Sequence, residues 1–517
     1  MTQSNSQKSV YNIVTSIFGQ IITIAMGIII PRLVLVSLGS ESNGLLASIT
    51  QVLGYVGLLE AGVGLASLQA LYGPVAKNDH CSVNAIMAAT NVYYKRTGVF
   101  YLLAVILLSV IYPFAVQTTI PWTTTSLVVL ISGLPGVINY YFQGKYKILL
   151  QAEGKSYIIT NLTTIVSILT SLGKIALLLL GFGVIAVQTL YLLLSLAQMI
   201  YISLYIKRNY TWLDTSVQPA YEALSQKNSV LAHQISGLVF SNTDVIILSV
   251  FCGLRVVSVY SMYAMLFGLV GTLLSNLGNS VTFVLGQQLS IDKHEYEKSQ
   301  DCFELIYITL SFSLFFVAQQ FILPFLRLYT SGVQDINYID PYLPILFTSV
   351  ALLENSRLSS AKAIHIAGHF KHTQWHAILE MVINIVVSLI GVFLWGIYGV
   401  LLGTIAALLF RANAMIIYAN KKILHRSPWQ TYRRWLVNLA LFVVVTVLSK
   451  LAFAHIALDS YPKIILSAAA TCILVIPLFF AVASLFDRET YRFAKELLTP
   501  YWDRMRKKLS HRSAHQD

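Results

Sequence analysis

The stretch KIILSAAATCILVIPLFFAVASLF, Lys463–Phe486, carries no charge after its first residue. A helix rises about 1.5 Å per residue, so about 20 apolar residues cross the ~30 Å hydrocarbon core of a bilayer. Thirteen similar stretches precede it, at roughly 10–31, 43–70, 91–113, 122–142, 157–181, 183–206, 229–250, 256–286, 303–328, 341–366, 374–395, 397–419 and 433–456. The pattern predicts an all-α polytopic membrane protein with about 14 transmembrane helices. Two boundaries rest on glycine turns alone, Gly181 to Gly183 and Trp395 to Gly399. The 517 residues are 56% hydrophobic and 11% charged. A soluble domain carries about 25% charged residues, so the composition excludes one.

A net charge of +13 raises nucleic acid as a partner, but the charges sit in short loops between spans, which argues against it. Lys and Arg are retained on the cytoplasmic side of a membrane. With the N-terminus inside, the inner loops and tails hold 27 of the 35 Lys and Arg residues, which predicts that both termini are cytoplasmic. The longest outer loop, near Tyr329 to Asp340, has about a dozen residues and leaves no room for a catalytic domain. The start of the chain has no cleavable signal pattern. Cys81, Cys252, Cys302 and Cys472 lie far apart and read as apolar filler. The basic tail from Arg488 either lies on anionic headgroups or serves as a topology anchor.

A repeat is visible within the chain. Leu38-Gly39-Ser40-Glu41-Ser42-Asn43-Gly44 follows span 1, and Cys252-Gly253-Leu254-Arg255 follows span 7. Gly39 and Gly253 lie 214 positions apart, as do Gly154 and Gly368. The offset suggests a duplicated six-span unit whose copies point the same way across the membrane, and chance recurrence of glycine at span ends is the competing reading. The resulting division is an N-lobe at 1–207, a C-lobe at 208–421, accessory spans 13 and 14 at 422–486 and a basic cytoplasmic tail at 487–517.

Ser241-Asn242-Thr243-Asp244-Val245-Ile246-Ile247-Leu248 with Gly253 and Val259–Tyr263 resembles the start of the second half of polysaccharide flippases. Leu38–Leu45, Leu59–Gly64 and the run through Ala367-Gly368, Glu380–Asn384 and Gly396–Thr404 extend the likeness over about residues 10–420. The family is the Wzx-like polysaccharide transporters of the multidrug/oligosaccharidyl-lipid/polysaccharide (MOP) exporter superfamily. The resemblance implies a V-shaped pair of pseudo-symmetric six-helix lobes. Spans 13 and 14 look like those of the lipid II flippase branch, where the extra pair is associated with a lipid-tail groove.

The implied activity is flipping of an undecaprenyl-pyrophosphate-linked oligosaccharide across a bacterial cytoplasmic membrane, by alternating access through a central cationic cavity. A sugar headgroup cannot cross hydrocarbon unaided, because each unpaired polar group costs several kcal/mol there. The implied partners are that substrate, membrane lipids and other polysaccharide-assembly proteins, with the chain acting as a monomer. One alternative is a cation-coupled multidrug exporter of the same superfamily. Another is a membrane polysaccharide polymerase or ligase, which requires the large outer loop that is missing here.

Charges inside spans are functional candidates. Arg357 lies about 16 residues into span 10, and two readings stand: a bidentate contact with the substrate pyrophosphate, or an ion pair with Glu354 one turn earlier. Arg32 follows Pro31 and either lines the cavity mouth or snorkels. Arg411 and Lys174 complete the candidate substrate contacts. Glu60 and Asp244 either carry a coupling proton or Na+, or pair with a neighbouring Lys or Arg. No cofactor or metal is expected, and coupling to the membrane potential, H+ or Na+ stays open. Pro135, Pro324, Pro344 and Pro477 mark kinks.

Two motifs mislead. Gly154-Lys155-Ser156 lacks the first glycine of a phosphate loop, since position 149 is Leu149. His365, His369, His372 and His376 have helical spacing, but Gly368 and the turn expected between spans 10 and 11 break it.

Overall fold

A computed structural model describes residues 5–60, 63–224, 242–452 and 458–496. These are almost entirely helical, with no strand among them. The helices are α1 (Asn5–Gly57), α2 (Val63–Ala76), α3 (His80–Ala115), α4 (Trp122–Ile138), α5 (Gly144–Ala152), α6 (Ser156–Leu179), α7 (Val184–Asn209), α8 (Asn242–Phe251), α9 (Leu254–Ile291), α10 (Lys293–Tyr329), α11 (Leu343–Ser356), α12 (Leu358–Ile366), α13 (Phe370–Trp395), α14 (Ile397–Lys422), α15 (Trp429–Ala452) and α16 (Tyr461–Phe486). Eleven described helical runs are long and apolar enough to cross a membrane, and α2 and α8 are shorter apolar helices. The chain is a multi-pass membrane protein. The first part of the seventh predicted span and the end of the thirteenth lie outside the described residues.

The duplicated pattern is present in the backbone. Gly39 and Gly253 adopt φ of +80° and +85°, and Gly154 and Gly368 adopt +69° and +73°. A side chain is strained at such angles, so glycine at these positions has a stereochemical reason. The nine-residue helices α5 and α12 start and stop at positions 214 apart. Each resumes a span after an interruption. A π turn at Asn139–Gln143, just after Pro135, separates α4 from α5. Arg357 separates α11 from α12.

Some expected boundaries move. Spans 1 and 2 form one helical run, broken only at Gly39. Span 2 is itself divided, because a 3-10 turn at Leu58–Glu60 follows α1 and α2 begins at Val63. Lys145, which falls between the expected spans 4 and 5, is buried in α5 and donates to Asn91 Oδ1 at 2.6 Å.

Packing divides the chain into two units. The first comprises Met1–Ser261, Thr330–Asn337 and Ser388–Val400. Its core joins Leu71, Met87, Tyr94, Leu149 and Ile202 of α2, α3, α5 and α7. Helices in lipid gain little from the hydrophobic effect and associate by close packing. Gly133 and Gly136 of α4 accordingly admit Val105 and Tyr101 of α3 to where a Cβ would stand.

The second unit comprises Met262–Tyr329, Tyr338–Val387 and Leu401–Asp517. Here α10 is the central helix, and α15 meets it through Phe442, edge-on to Phe312 and Phe316. Buried charges fasten the same helices. Arg434 of α15 meets Glu304 of α10 at 2.8 Å and Asp487, just past α16, at 2.7 Å. Arg426 adds Glu304 at 3.0 Å, together with Asp301. Burial alone raises the Asp487 carboxyl, but Arg434 and Thr490 outweigh it and hold it below the ordinary carboxylate range.

Candidate functional site

In the second unit, the register of α13 against α14 places the charged residues. Asn384 Nδ2 donates to Thr404 Oγ1 at 3.0 Å in a buried contact. Glu380 stands one turn before Asn384 on the same face of α13, and Arg411 stands two turns beyond Thr404 on α14. Antiparallel helices therefore bring Glu380 and Arg411 together.

The result is a three-charge cluster. Glu380 Oε1 accepts from Arg357 Nη1 at 2.6 Å, and Glu380 Oε2 lies 3.4 Å from Arg411 Nε. Arg411 Nη1 also donates to the carbonyl of Thr373 at 3.0 Å. The three side chains are 9–16% exposed, so each charge is held by protein groups rather than water. Two guanidinium groups share one carboxylate, and the cluster carries a formal charge of +1. Such an arrangement suits a doubly charged anion, because guanidinium groups match phosphate oxygens two at a time.

Arg357 therefore pairs with Glu380, whereas the sequence reading offered Glu354, which is exposed. Ion-pair choice follows the interhelical approach, which one-turn spacing does not reveal. Glu380 escaped attention as a site residue, although it is the sole carboxylate in 374–395 and the rule on intramembrane charges finds it.

The other candidates lie in the first unit. Glu60 sits on the 3-10 turn and accepts from the Tyr94 hydroxyl of α3, instead of the Lys or Arg expected there. Asp244 is buried and accepts from Tyr260 at 3.0 Å. Lys174 lies 5.4 Å from the centre of the Tyr191 ring. Arg32 is half-buried in α1, beside Pro31. The structure thus brings Arg357 and Arg411 together within one unit, and places Arg32, Lys174, Glu60 and Asp244 in the other.

The histidines are split as expected by Gly368 at φ +73°. His369 Nδ1 and the Tyr418 hydroxyl are 3.1 Å apart. Among the described residues, no group of three or more His, Cys, Asp or Glu is placed to hold a metal ion.

No protein-family model and no curated protein matches the chain. Solved structures do. The lipid II flippase MurJ, in an inward closed conformation, superposes with a TM-score of 0.69 at 14% identity, covering 92% of this chain and 99% of that one. A multidrug resistance MATE family transporter of the MOP superfamily, in an inward-facing conformation, gives 0.64 at 17% identity, covering 80% and 98%. A MOP superfamily transporter from Pyrococcus furiosus gives 0.55 at 17% identity, covering 78% and 95%. The chain has the fold of MOP superfamily transporters.

Proposed function

We propose that the chain is a flippase that moves an undecaprenyl-pyrophosphate-linked oligosaccharide across a bacterial cytoplasmic membrane. The observation that carries this reading is the buried Arg357–Glu380–Arg411 cluster in a multi-pass membrane protein. A cationic cluster there fits an anionic pyrophosphate headgroup and not a cationic drug. In this reading the lobes are 1–207 and 208–421, both termini are cytoplasmic and the lipid tail stays in the bilayer. In this reading Arg32 and Lys174 are further substrate contacts.

The test is Arg357→Ala, assayed for lipid-linked sugar that accumulates facing the cytoplasm. We expect accumulation at normal expression. Unchanged flipping overturns the phosphate contact. A cation-coupled multidrug exporter is a second reading. It is favoured by the MATE likeness and by Glu60 and Asp244, carboxylates that accept from tyrosine hydroxyls. Ion flux stimulated by a cationic dye would select it.

A further inference from the structure

We propose that a cavity of the first unit, enclosed by the turns at 76–80 and 153–156 and the segment 210–213, binds a zwitterionic small molecule of the amino-acid class. The inference goes beyond the transport reading above and does not depend on the cargo.

Two left-handed turns build the site. Asn78 takes φ +53° between α2 and α3, a conformation that asparagine tolerates better than most residues. Asp79 then caps α3, accepting from the Ser82 N–H at 3.1 Å and the Ser82 hydroxyl at 2.6 Å, and His80 opens the helix at the cavity rim. Gly154, at φ +69°, turns the chain between α5 and α6 and sets Glu153 beside Lys155. The third wall is the segment after α7. Asn84 of α3 grips it with both ends of its amide, donating to the Trp212 carbonyl at 3.1 Å and accepting from the Asp214 N–H at 3.2 Å. Further on, the Ala220 N–H reaches the Ala85 carbonyl at 3.0 Å. Trp212 is thereby fixed, with its ring centre 4.0 Å from that of His80.

The charges at the rim are one ion pair with unused bonding groups. Lys155 Nζ donates to Glu153 Oε2 at 2.7 Å and to the Tyr210 hydroxyl at 2.9 Å, and Tyr210 donates to the same Glu153 oxygen. One of the three ammonium protons and Glu153 Oε1 have no partner among the described residues. The two side chains are 42% and 16% exposed, and an ion pair open to water is worth at most about 1 kcal/mol, so a ligand can part it at small cost. A ligand bearing both charges replaces that pair by two, its carboxylate on Lys155 and its ammonium on Glu153, through charge-assisted bonds. Val75, Val83 and Trp212 supply the apolar part of the lining and suit an aliphatic side chain.

The same groups decide against other ligands. Glu153 neutralises Lys155 and repels a phosphate or nucleotide. Lys155 repels a metal ion. The cavity, about 280 Å3, falls just below the ~300–1,000 Å3 of ordinary ligand pockets, which limits the occupant to about one amino acid in size. On the orientation proposed above, the three connections face the cytoplasm, so the ligand is a cytosolic solute.

The test is equilibrium dialysis of radiolabelled L-leucine against the purified full-length chain in detergent. We expect saturable binding. N-acetyl-L-leucine lacks the ammonium and L-leucinamide lacks the carboxylate, and each should compete about tenfold more weakly than L-leucine. Glu153→Gln should erase the advantage of L-leucine over N-acetyl-L-leucine, and Lys155→Gln its advantage over L-leucinamide. A merely structural role of the pair weakens all three ligands alike. No saturable binding, or discrimination that survives both substitutions, overturns the proposal. The wild-type chain gives a second measure should either variant misfold. Saturating L-leucine should slow hydrogen exchange at Leu213 and Asp214 several-fold and leave α15 unchanged, and no slowing overturns the site. Arg357→Ala should bind L-leucine as the wild type does, and a loss there assigns the amino acid to the charge cluster and overturns the site. A chain that binds L-leucine in this way but moves no lipid-linked sugar counts against the flippase reading alone.

Discussion

Removing the charge of Glu380 should destabilise the protein far more than removing Arg411. Glu380→Gln takes one carboxylate from two buried guanidinium groups. Breaking a buried pair by deleting one partner costs about 3–5 kcal/mol. Arg411→Met leaves the 2.6 Å contact between Arg357 and Glu380 intact and removes only the 3.4 Å contact and the bond to Thr373. The loss is of the order of a charged hydrogen bond, about 1.5–3 kcal/mol, partly offset by the apolar methionine. At about 2.1 cal/mol/K of unfolding entropy per residue, 517 residues give about 1.1 kcal/mol/K, so each kcal/mol moves the midpoint by about 1 °C. Helices that persist in detergent lower that entropy and enlarge the shift. The expected drops are therefore at least about 3–5 °C for Glu380→Gln and about 1–3 °C for Arg411→Met, read by thermal unfolding of the purified protein in detergent. The double variant strands one guanidinium fewer than Glu380→Gln and should recover part of its loss. An Arg411→Met drop equal to or larger than that of Glu380→Gln would refute the view that Glu380 is the shared counter-charge.

Two further outcomes follow from the packing. Asp487 is held below the ordinary carboxylate range, so its stabilisation is present above about pH 4 and is lost as the pH falls through its folded value. Asp487→Asn should lower the midpoint by about 1–3 °C at pH 7, and the gap from wild type should close in acid; a gap that widens in acid contradicts the assignment. Gly44→Val forces a side chain against the Leu254 carbonyl, and overpacking of this kind costs typically 1–3 kcal/mol. Exchange at Leu254 should rise in that variant, and an unchanged rate would show that the backbones do not meet there.

Much of this architecture is local and was therefore legible. A span needs only its own run of apolar residues, because bilayer thickness sets its length. A left-handed turn needs only its own glycine, so Gly39, Gly154, Gly253 and Gly368 mark the repeat in the sequence itself. The break at Gly368 that splits the histidines was readable for the same reason.

What the sequence by itself determined is the all-helical membrane-crossing character, the 214-residue offset and the identity of the charges that lie inside the membrane. Tertiary structure alone decided their partners. Arg357 looked toward Glu354 along its own helix but meets Glu380 on another, and Glu60 meets a tyrosine instead of a cation. Arg426 and Arg434 bind Asp301, Glu304 and Asp487, carboxylates far from them in sequence. The physical reason is range. Apolar burial in a bilayer is a property of each segment, whereas a buried ion pair needs two side chains within about 4 Å, and that distance exists only once separate helices have packed.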